Sequence, residues 1–204
     1  MRFSFKTFRE VSGSVSKGFV PDHRLASVGE ISESYLKKRG IGGLIVDLDN
    51  TLALPDDMEP TSDARRFATR MKRAGIPVVV VSNNSLPRVA GFCEKLKLDY
   101  VFKSGKPFGS GIRRAIKMLG LPRSQVALIG DQLVTDVFAA SLNGIRCILT
   151  DPIVLEEGFF FRMKRGFETL IDTNRKRLID LNRRRLHVRR KLKRHRRGTG
   201  RTYI

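Results

Sequence analysis

The sequence predicts an α/β domain of the Rossmann type, in which helices cover both faces of a central parallel sheet. Short apolar runs rich in β-branched residues alternate with segments of helical spacing over residues 43–149. Continuous apolar runs are typical of parallel strands, which are buried on both faces. A chain of 204 residues suits one such domain with an appendage. We therefore expect one α/β domain and a distinct C-terminal tail.

The predicted elements alternate along the chain. Residues 1–40 form a mixed lead-in with a short helix over 31–39, and the domain core spans 41–158. The predicted strands are 43–48, 77–82, 100–103, 125–130 and 145–149. The predicted helices are 63–74, 86–96, 108–119 and 135–142. Glycines after two of these helices, Gly75 and Gly120, favour helix termination there.

The positive charge is concentrated in the tail. Residues 159–204 contain 17 of the 40 Lys and Arg residues but only 3 of the 20 Asp and Glu residues. Apolar residues recur there at helical steps from Phe160 to Leu192, which predicts a basic amphipathic helix, with disorder beyond about residue 183. Such a helix suits an anionic membrane surface. A nucleic-acid-binding arm and packing against the chain's own domain are the alternatives.

Other features limit the cellular setting. No apolar run approaches the roughly 18–20 residues of a membrane-spanning helix, and the N-terminus lacks the apolar segment of a secretory signal. Cys93 and Cys147 do not have the spacing of a zinc site. We therefore expect a cytoplasmic protein with peripheral membrane association and no transmembrane segment.

Polar residues follow four of the predicted strands. In chain order they are Asp47, Asp49 and Thr51; Ser82, Asn83 and Asn84; Lys103 and Lys106; Asp131 and Asp136. Ligands of open parallel sheets bind beyond the carboxyl ends of the strands. These groups therefore predict a single active site at one edge of the sheet.

The first of these groups indicates phosphoryl chemistry. Asp47 and Asp49 are two residues apart, and carboxylates so close repel each other unless a cation lies between them. Oxygen-rich coordination suits Mg²⁺. A carboxylate can attack phosphorus to form an aspartyl-phosphate, and a second one can protonate the leaving alkoxide and then activate water.

Four segments resemble the motifs of phosphatases of the haloacid dehalogenase (HAD) superfamily. They are DLDNT at 47–51, Ser82, Lys106-Pro107 and GDQLVTD at 130–136. The resemblance implies that Asp47 is the nucleophile and a magnesium ligand. It implies that Asp49 is the general acid/base and binds the metal through its backbone carbonyl. The other implied residues are Thr51, Ser82, Asn83 and Lys106 for the substrate phosphate, and Asp131 and Asp136 for the metal.

Simpler roles stay open for several of these residues. Ser82 can act as a strand-end cap, and Asp136 can cap the helix that follows it or support the metal ligands without touching the metal. Asn83 and Asn84 can serve to shape a turn. Lys103 competes with Lys106 as the phosphate-binding lysine, and the adjacent proline favours Lys106.

A narrower resemblance concerns the substrate. The segments FVPD at 19–22, KRGI at 38–41 and GDQLVTD resemble the YqeG subfamily, which is related to the mitochondrial phosphatidylglycerophosphate phosphatase. It implies phospholipid biosynthesis, with conversion of phosphatidylglycerophosphate to phosphatidylglycerol at the membrane surface. The short intervals between the motifs leave no room for a substantial cap domain. The alternatives are a phosphatase acting on nucleic-acid or nucleotide phosphates, or an RNA- or ribosome-associated protein of this superfamily.

Overall fold

The computed structural model describes residues 20–54 and 57–154. The predicted basic tail and residues 1–19 of the predicted lead-in therefore lie outside the described residues. The division of the chain into lead-in, core and tail stays a prediction.

Six parallel strands form one sheet in the order β1-β6-β5-β2-β3-β4. They are β1 (His23–Leu25), β2 (Gly43–Val46), β3 (Val78–Val81), β4 (Asp99–Val101), β5 (Val126–Gly130) and β6 (Arg146–Thr150). Helices lie between successive strands along the chain. The predicted α/β, Rossmann-like fold is confirmed.

Within the described ranges, five α-helices connect the strands. They are α1 (Glu33–Lys37), α2 (Ser62–Arg73), α3 (Leu86–Leu96), α4 (Gly111–Leu119) and α5 (Phe138–Asn143). Short 3₁₀-helices cover Val28–Glu30 and Arg123–Gln125, and a π-helical turn covers Leu133–Val137. The Thr61 hydroxyl accepts a hydrogen bond from the Ala64 N–H and caps α2, which ends before Gly75 at a φ of 67°.

The apolar core has a layer on each face of the sheet. Successive residues of β2 belong to different layers: Leu44 and Val46 to one and Ile45 to the other. This follows from the alternation of side chains along a strand. Strand β2 is buried throughout and lies between β5 and β3, so the residue that follows it emerges from the interior of the sheet.

The structure departs from the predicted elements in three places. Strand β1 was not predicted, because its three residues contain one apolar side chain. Next to it, the Asp22 N–H donates a hydrogen bond to the Cys147 carbonyl, and the Asp22 carboxylate accepts one from the Cys147 N–H, which fixes β1 beside β6. Helix α4 begins at Gly111, not at residue 108, because Gly109 turns so closely over Ser104 that a Cβ atom would overlap its carbonyl. The predicted helix 135–142 is in fact a π-helical turn followed by α5.

The connections at the carboxyl edge of the sheet are short. In the described part of the β2–α2 connection, residues 47–54 and 57–61, there is no helix and only an isolated bridge between Asp49 and Ala53. The β3–β4 connection contains only α3. Neither described connection forms a cap domain. None of the helices in the described ranges has the length and apolar character required to cross a bilayer.

Candidate active site

Three aspartates meet at the carboxyl edge of the sheet. Asp47 directly follows β2 and Asp131 directly follows the neighbouring β5, while Asp136 lies in the π-helical turn. The Asp47 N–H donates to the Ile129 carbonyl at 2.8 Å, which continues the β2–β5 ladder into the site. One carboxylate oxygen from each aspartate lies within 4.8 Å of the others, and all three residues are buried. The predicted convergence of these strand ends is present in the structure.

Lys106 lies between two of the carboxylates. Its Nζ is 2.8 Å from Asp47 Oδ1 and 2.6 Å from Asp136 Oδ1, and its side chain is only 2% exposed. Lys103, the alternative lysine, is exposed. Since three buried carboxylates face one ammonium group, the described site has an excess of negative charge.

Burial and the neighbouring charges shift the pKa values of Asp47, Asp131 and Lys106. Burial raises the pKa of the Asp47 carboxyl well above its ordinary range; Lys106 opposes this shift, and Asp136 and Asp131 add to it. Burial, followed by repulsion from Asp136, raises the pKa of Asp131 to about 7. Burial alone would lower the pKa of Lys106, but the carboxylates of Asp136 and Asp47 raise it above its usual range. The ammonium is therefore held in its charged form.

Asp131 provides the test of whether the site fits a metal ion. Its Oδ1 accepts a hydrogen bond from the Thr51 hydroxyl at 3.2 Å, whereas its Oδ2 is buried and has no hydrogen-bond partner among the described residues. A buried carboxylate oxygen without a donor is costly unless a cation satisfies it. The three carboxylates offer only oxygen ligands, which suit Mg²⁺ better than a soft metal. The residues present therefore fit a metal site.

Asp136 is positioned by the backbone around it. Its Oδ2 accepts a hydrogen bond at 3.2 Å from the N–H of Gln132, the residue just before the π-helical turn, while its other oxygen accepts from the Lys106 ammonium. A Cβ atom at position 130 would lie 2.4 Å from Asp136 Cγ. Only glycine at residue 130 lets the Asp136 carboxylate lie this close to the end of β5.

Asp49 lies apart from the three buried aspartates and is 26% exposed at its side chain. Its Oδ1 is 3.0 Å from Arg88 Nη2, and its Oδ2 accepts hydrogen bonds from Asn84 Nδ2 at 2.8 Å and from the Ser82 hydroxyl at 3.3 Å. Both oxygens therefore have donors. A carboxylate at the exposed side of the site can exchange protons with a substrate or a water molecule.

The other predicted phosphate-binding residues have partners within the protein. Ser82 is buried and also accepts a hydrogen bond from the Asn84 N–H at 3.0 Å. Asn83 accepts from the Lys106 N–H at 2.8 Å and donates to the Lys106 carbonyl at 3.2 Å. Its amide oxygen also accepts a hydrogen bond from the Ser104 hydroxyl at 2.6 Å. Asn83 therefore fixes the backbone that carries Lys106. The functional roles of Ser82, Asn83, Thr51 and Lys106 stay predictions.

Two contacts of Asp49 were not predicted. Arg88, in the first turn of α3, was not among the predicted site residues, and Asn84 was predicted at this edge of the sheet without a named partner. A signal for Arg88 is present in the sequence, because an arginine near the start of a helix opposes the helix dipole. Such a residue is expected to have a partner outside its own helix.

The family comparison agrees with this geometry. The model of the haloacid dehalogenase-like hydrolase family matches residues 6–144. The chain therefore belongs to the haloacid dehalogenase-like hydrolase family.

A curated relative places the chain more closely within this family. It is 37% identical over 157 residues to "Probable phosphatase YqeG" of Bacillus subtilis (strain 168), covering 77% of this chain and 91% of that protein. It is 29% identical to the chloroplastic/mitochondrial phosphatidylglycerophosphate phosphatase 1 of Arabidopsis thaliana, covering 68% of this chain and 42% of that protein. A 3-deoxy-D-manno-octulosonate 8-phosphate phosphatase from Moraxella catarrhalis, solved with magnesium and phosphate, has 20% identity and a TM-score of 0.39, covering 50% of this chain and 63% of that one. The family match and the YqeG relative confirm the predicted enzyme class, a phosphatase of the HAD superfamily.

Proposed function

We propose that this phosphatase is a Mg²⁺-dependent phosphomonoesterase that works through an aspartyl-phosphate. The observation that carries the proposal is the buried group of Asp47, Asp131 and Asp136, in which Asp131 Oδ2 has no donor within residues 20–54 and 57–154. Asp47, Asp131 and Asp136, with the backbone carbonyl of Asp49, would hold the ion. When bound, the ion would offset the negative charge of the phosphoryl group and the carboxylates.

The proposed reaction has two steps. A carboxylate oxygen of Asp47 attacks phosphorus, the ester P–O bond breaks, and Asp49 gives a proton to the leaving alkoxide. Water then attacks the phosphorus of the aspartyl-phosphate and gives its proton to Asp49, which releases inorganic phosphate and restores Asp47. Lys106, whose ammonium is 2.8 Å from the nucleophile, and the buried Ser82 would hold the phosphoryl oxygens.

Removal of the metal should have two effects. We expect activity to be lost in EDTA and to return with Mg²⁺. We also expect saturating Mg²⁺ to raise the melting temperature of the wild type, since a ligand at 100 times its dissociation constant stabilises a fold by about 2.7 kcal/mol. Thermal unfolding followed by circular dichroism, with and without Mg²⁺, measures this effect without any turnover.

The control for this prediction is a matched pair of variants. Asp131→Asn should reduce the Mg²⁺-induced shift by more than half, whereas Asp99→Asn, at an exposed aspartate of β4, should keep it. Full activity in excess EDTA, or an equal Mg²⁺-induced shift in both variants, would exclude a metal at the three aspartates.

For the substrate we propose phosphatidylglycerophosphate, with phosphatidylglycerol as the product. Two observations support a lipid: the short described connections at the carboxyl edge, and exposed apolar side chains beside the site. Ile153 and Val154 lie against Asn50, since the N–H groups of both residues donate to it. The Met58 Sδ atom lies 3.5 Å from Arg88 Nη1, and Leu86 is the first residue of helix α3. These exposed side chains suit the acyl region of a lipid whose phosphate reaches the carboxylates.

The cellular setting belongs to the same proposal. A cytoplasmic protein would meet this lipid by peripheral contact with the membrane through the basic residues of 159–204, each worth about 1 kcal/mol near an anionic surface. The same charge favours the alternative, a phosphatase of nucleic-acid or nucleotide phosphates.

A comparison of substrates tests this proposal. We expect phosphate release from phosphatidylglycerophosphate vesicles to exceed release from 3′- and 5′-phosphorylated oligonucleotides by at least about tenfold in kcat/KM, because contacts to the rest of the substrate add transition-state binding. Malachite-green detection at physiological salt suits both substrates, and an Asp47→Asn preparation reports contaminating phosphatases. Faster release from the oligonucleotides would replace the lipid proposal with the nucleic-acid one.

A further inference from the structure

We infer that Arg88 is a positioning residue for Asp49: it fixes the carboxylate of the proposed general acid/base and links it to the β2–α2 connection. The inference rests on the proposed function, because it needs Asp49 to transfer protons. It adds a residue from helix α3 that none of the four sequence motifs contains.

The guanidinium of Arg88 joins Asp49 to the connection that follows it. Nη2 donates to Asp49 Oδ1 at 3.0 Å and to the Leu54 carbonyl at 3.1 Å. Nη1 donates to the Asp57 carbonyl. The Arg88 side chain is only 10% exposed, so this ion pair is better shielded than a typical surface pair. A planar guanidinium with several donors suits this role, since it can bind a carboxylate and backbone carbonyls at once.

The opposite side of the Asp49 carboxylate is also held. Its Oδ2 accepts hydrogen bonds from Asn84 Nδ2 and from the Ser82 hydroxyl. Arg88 therefore fixes one oxygen of the Asp49 carboxylate, and Ser82 and Asn84, which follow β3, fix the other. Loss of the Arg88 contact would free Oδ1 and allow the carboxylate to rotate about its remaining contacts.

The location of Arg88 supports a role outside its own helix. It lies in the first turn of α3, where the helix dipole disfavours a positive charge. That turn contains no acidic residue, and the Ser85 side chain makes no capping hydrogen bond. Arginine at this position therefore opposes the stability of the helix. The Asp49 carboxylate and the loop carbonyls offset that cost.

Substrates with different leaving groups distinguish a loss of proton transfer from a general loss of activity. An alkoxide is a strong base and needs a proton as the ester bond breaks, whereas p-nitrophenolate leaves without one. The ratio kcat/KM reports the steps up to formation of the aspartyl-phosphate. A fault in the position of Asp49 should therefore lower kcat/KM for an alkyl phosphate far more than for p-nitrophenyl phosphate.

Lys95 provides a matched control on the same helix. Its ammonium donates to the Met58 carbonyl at 3.0 Å and pairs with Glu59, so it anchors the same connection without touching Asp49. We expect Arg88→Gln to lower kcat/KM by about 10- to 50-fold for glycerol 3-phosphate but by less than about threefold for p-nitrophenyl phosphate. Lys95→Gln should lower neither by more than about threefold.

A double-mutant cycle provides the second measurement. If Arg88 acts through Asp49, Arg88→Gln should add almost nothing to the loss caused by Asp49→Asn with the alkyl substrate. Equal losses on both substrates in Arg88→Gln, or full additivity in the cycle, would overturn the inference, because the residue would then act independently of proton transfer. A wild type that releases phosphate neither from these two substrates nor from phosphatidylglycerophosphate vesicles would instead refute the proposed function. Circular dichroism of each variant confirms that the comparison is made on folded protein.

Discussion

Asp47→Asn is expected to reduce phosphatase turnover by at least about 10⁴-fold while the protein stays folded. The carboxylate of Asp47 is the proposed attacking group, and the nitrogen and oxygen of a neutral amide cannot form the aspartyl-phosphate. The side chain is buried at the end of β2, where its Oδ1 accepts a hydrogen bond from the Leu48 N–H at 2.7 Å. An asparagine oxygen can keep that bond. The fold should therefore survive, since the substitution removes one charge from a site with an excess of negative charge.

The measurement combines steady-state turnover of p-nitrophenyl phosphate with thermal unfolding. Asp99→Asn makes the same chemical change at an exposed position and should leave both quantities near the wild-type values. A folded Asp47→Asn preparation that keeps more than about one hundredth of the wild-type turnover would show that Asp47 is not the nucleophile. If Asp131→Asn instead shows wild-type turnover in Mg²⁺, the proposed metal site is contradicted, whereas the assignment of Asp47 as the nucleophile is unaffected.

The positions of Asp47 and Asp131 could be predicted because the sheet determines them. Each follows a buried strand directly, and β2 and β5 are parallel neighbours, so both residues leave the sheet at the same edge. Strand identity needs only short-range apolar patterns, which the sequence displays. The fold class and the meeting of these carboxylates therefore followed from local information.

The contacts of Asn83 and Arg88 could not be predicted in this way. Asn83 binds the backbone of Lys106, 23 residues away, and Arg88 binds Asp49, 39 residues away. Such contacts depend on how two connections fold over each other, and apolar periodicity carries no information about that. The same limit explains the unpredicted start of α4, which depends on the close approach of Gly109 to Ser104.

Lys106 and a bound metal ion would both offset the negative charge of the three buried carboxylates. The lysine contacts Asp47 and Asp136, and one buried oxygen of Asp131 has no partner in the part of the chain that the structure describes. One ammonium cannot balance three carboxylates, so a divalent cation would supply the remaining positive charge. Stability and catalysis are therefore expected to depend on the same small group of charges.

Lys106→Met should lower the free energy of unfolding by about 3 kcal/mol or more in EDTA, in addition to reducing turnover. The lysine side chain is 2% exposed and the Asp136 side chain 0%, so solvent cannot replace the lost ammonium. Removal of one member of a buried pair leaves the other as an uncompensated charge, which costs much more than the pair itself contributes. Methionine keeps most of the volume, so the loss should reflect charge and not a cavity. Urea unfolding measures the change.

Two further variants decide whether the uncompensated charge is the cause. Lys103→Met, in the same connection but exposed, should change the free energy of unfolding by less than about 0.5 kcal/mol. Adding Asp136→Asn to Lys106→Met should recover a substantial part of the lost stability, because it removes the carboxylate that lost its partner. Asp136→Asn can instead lower the free energy of unfolding of Lys106→Met by as much as it lowers that of the wild type. In that case Lys106 and Asp136 are not coupled, and the electrostatic account of the site fails.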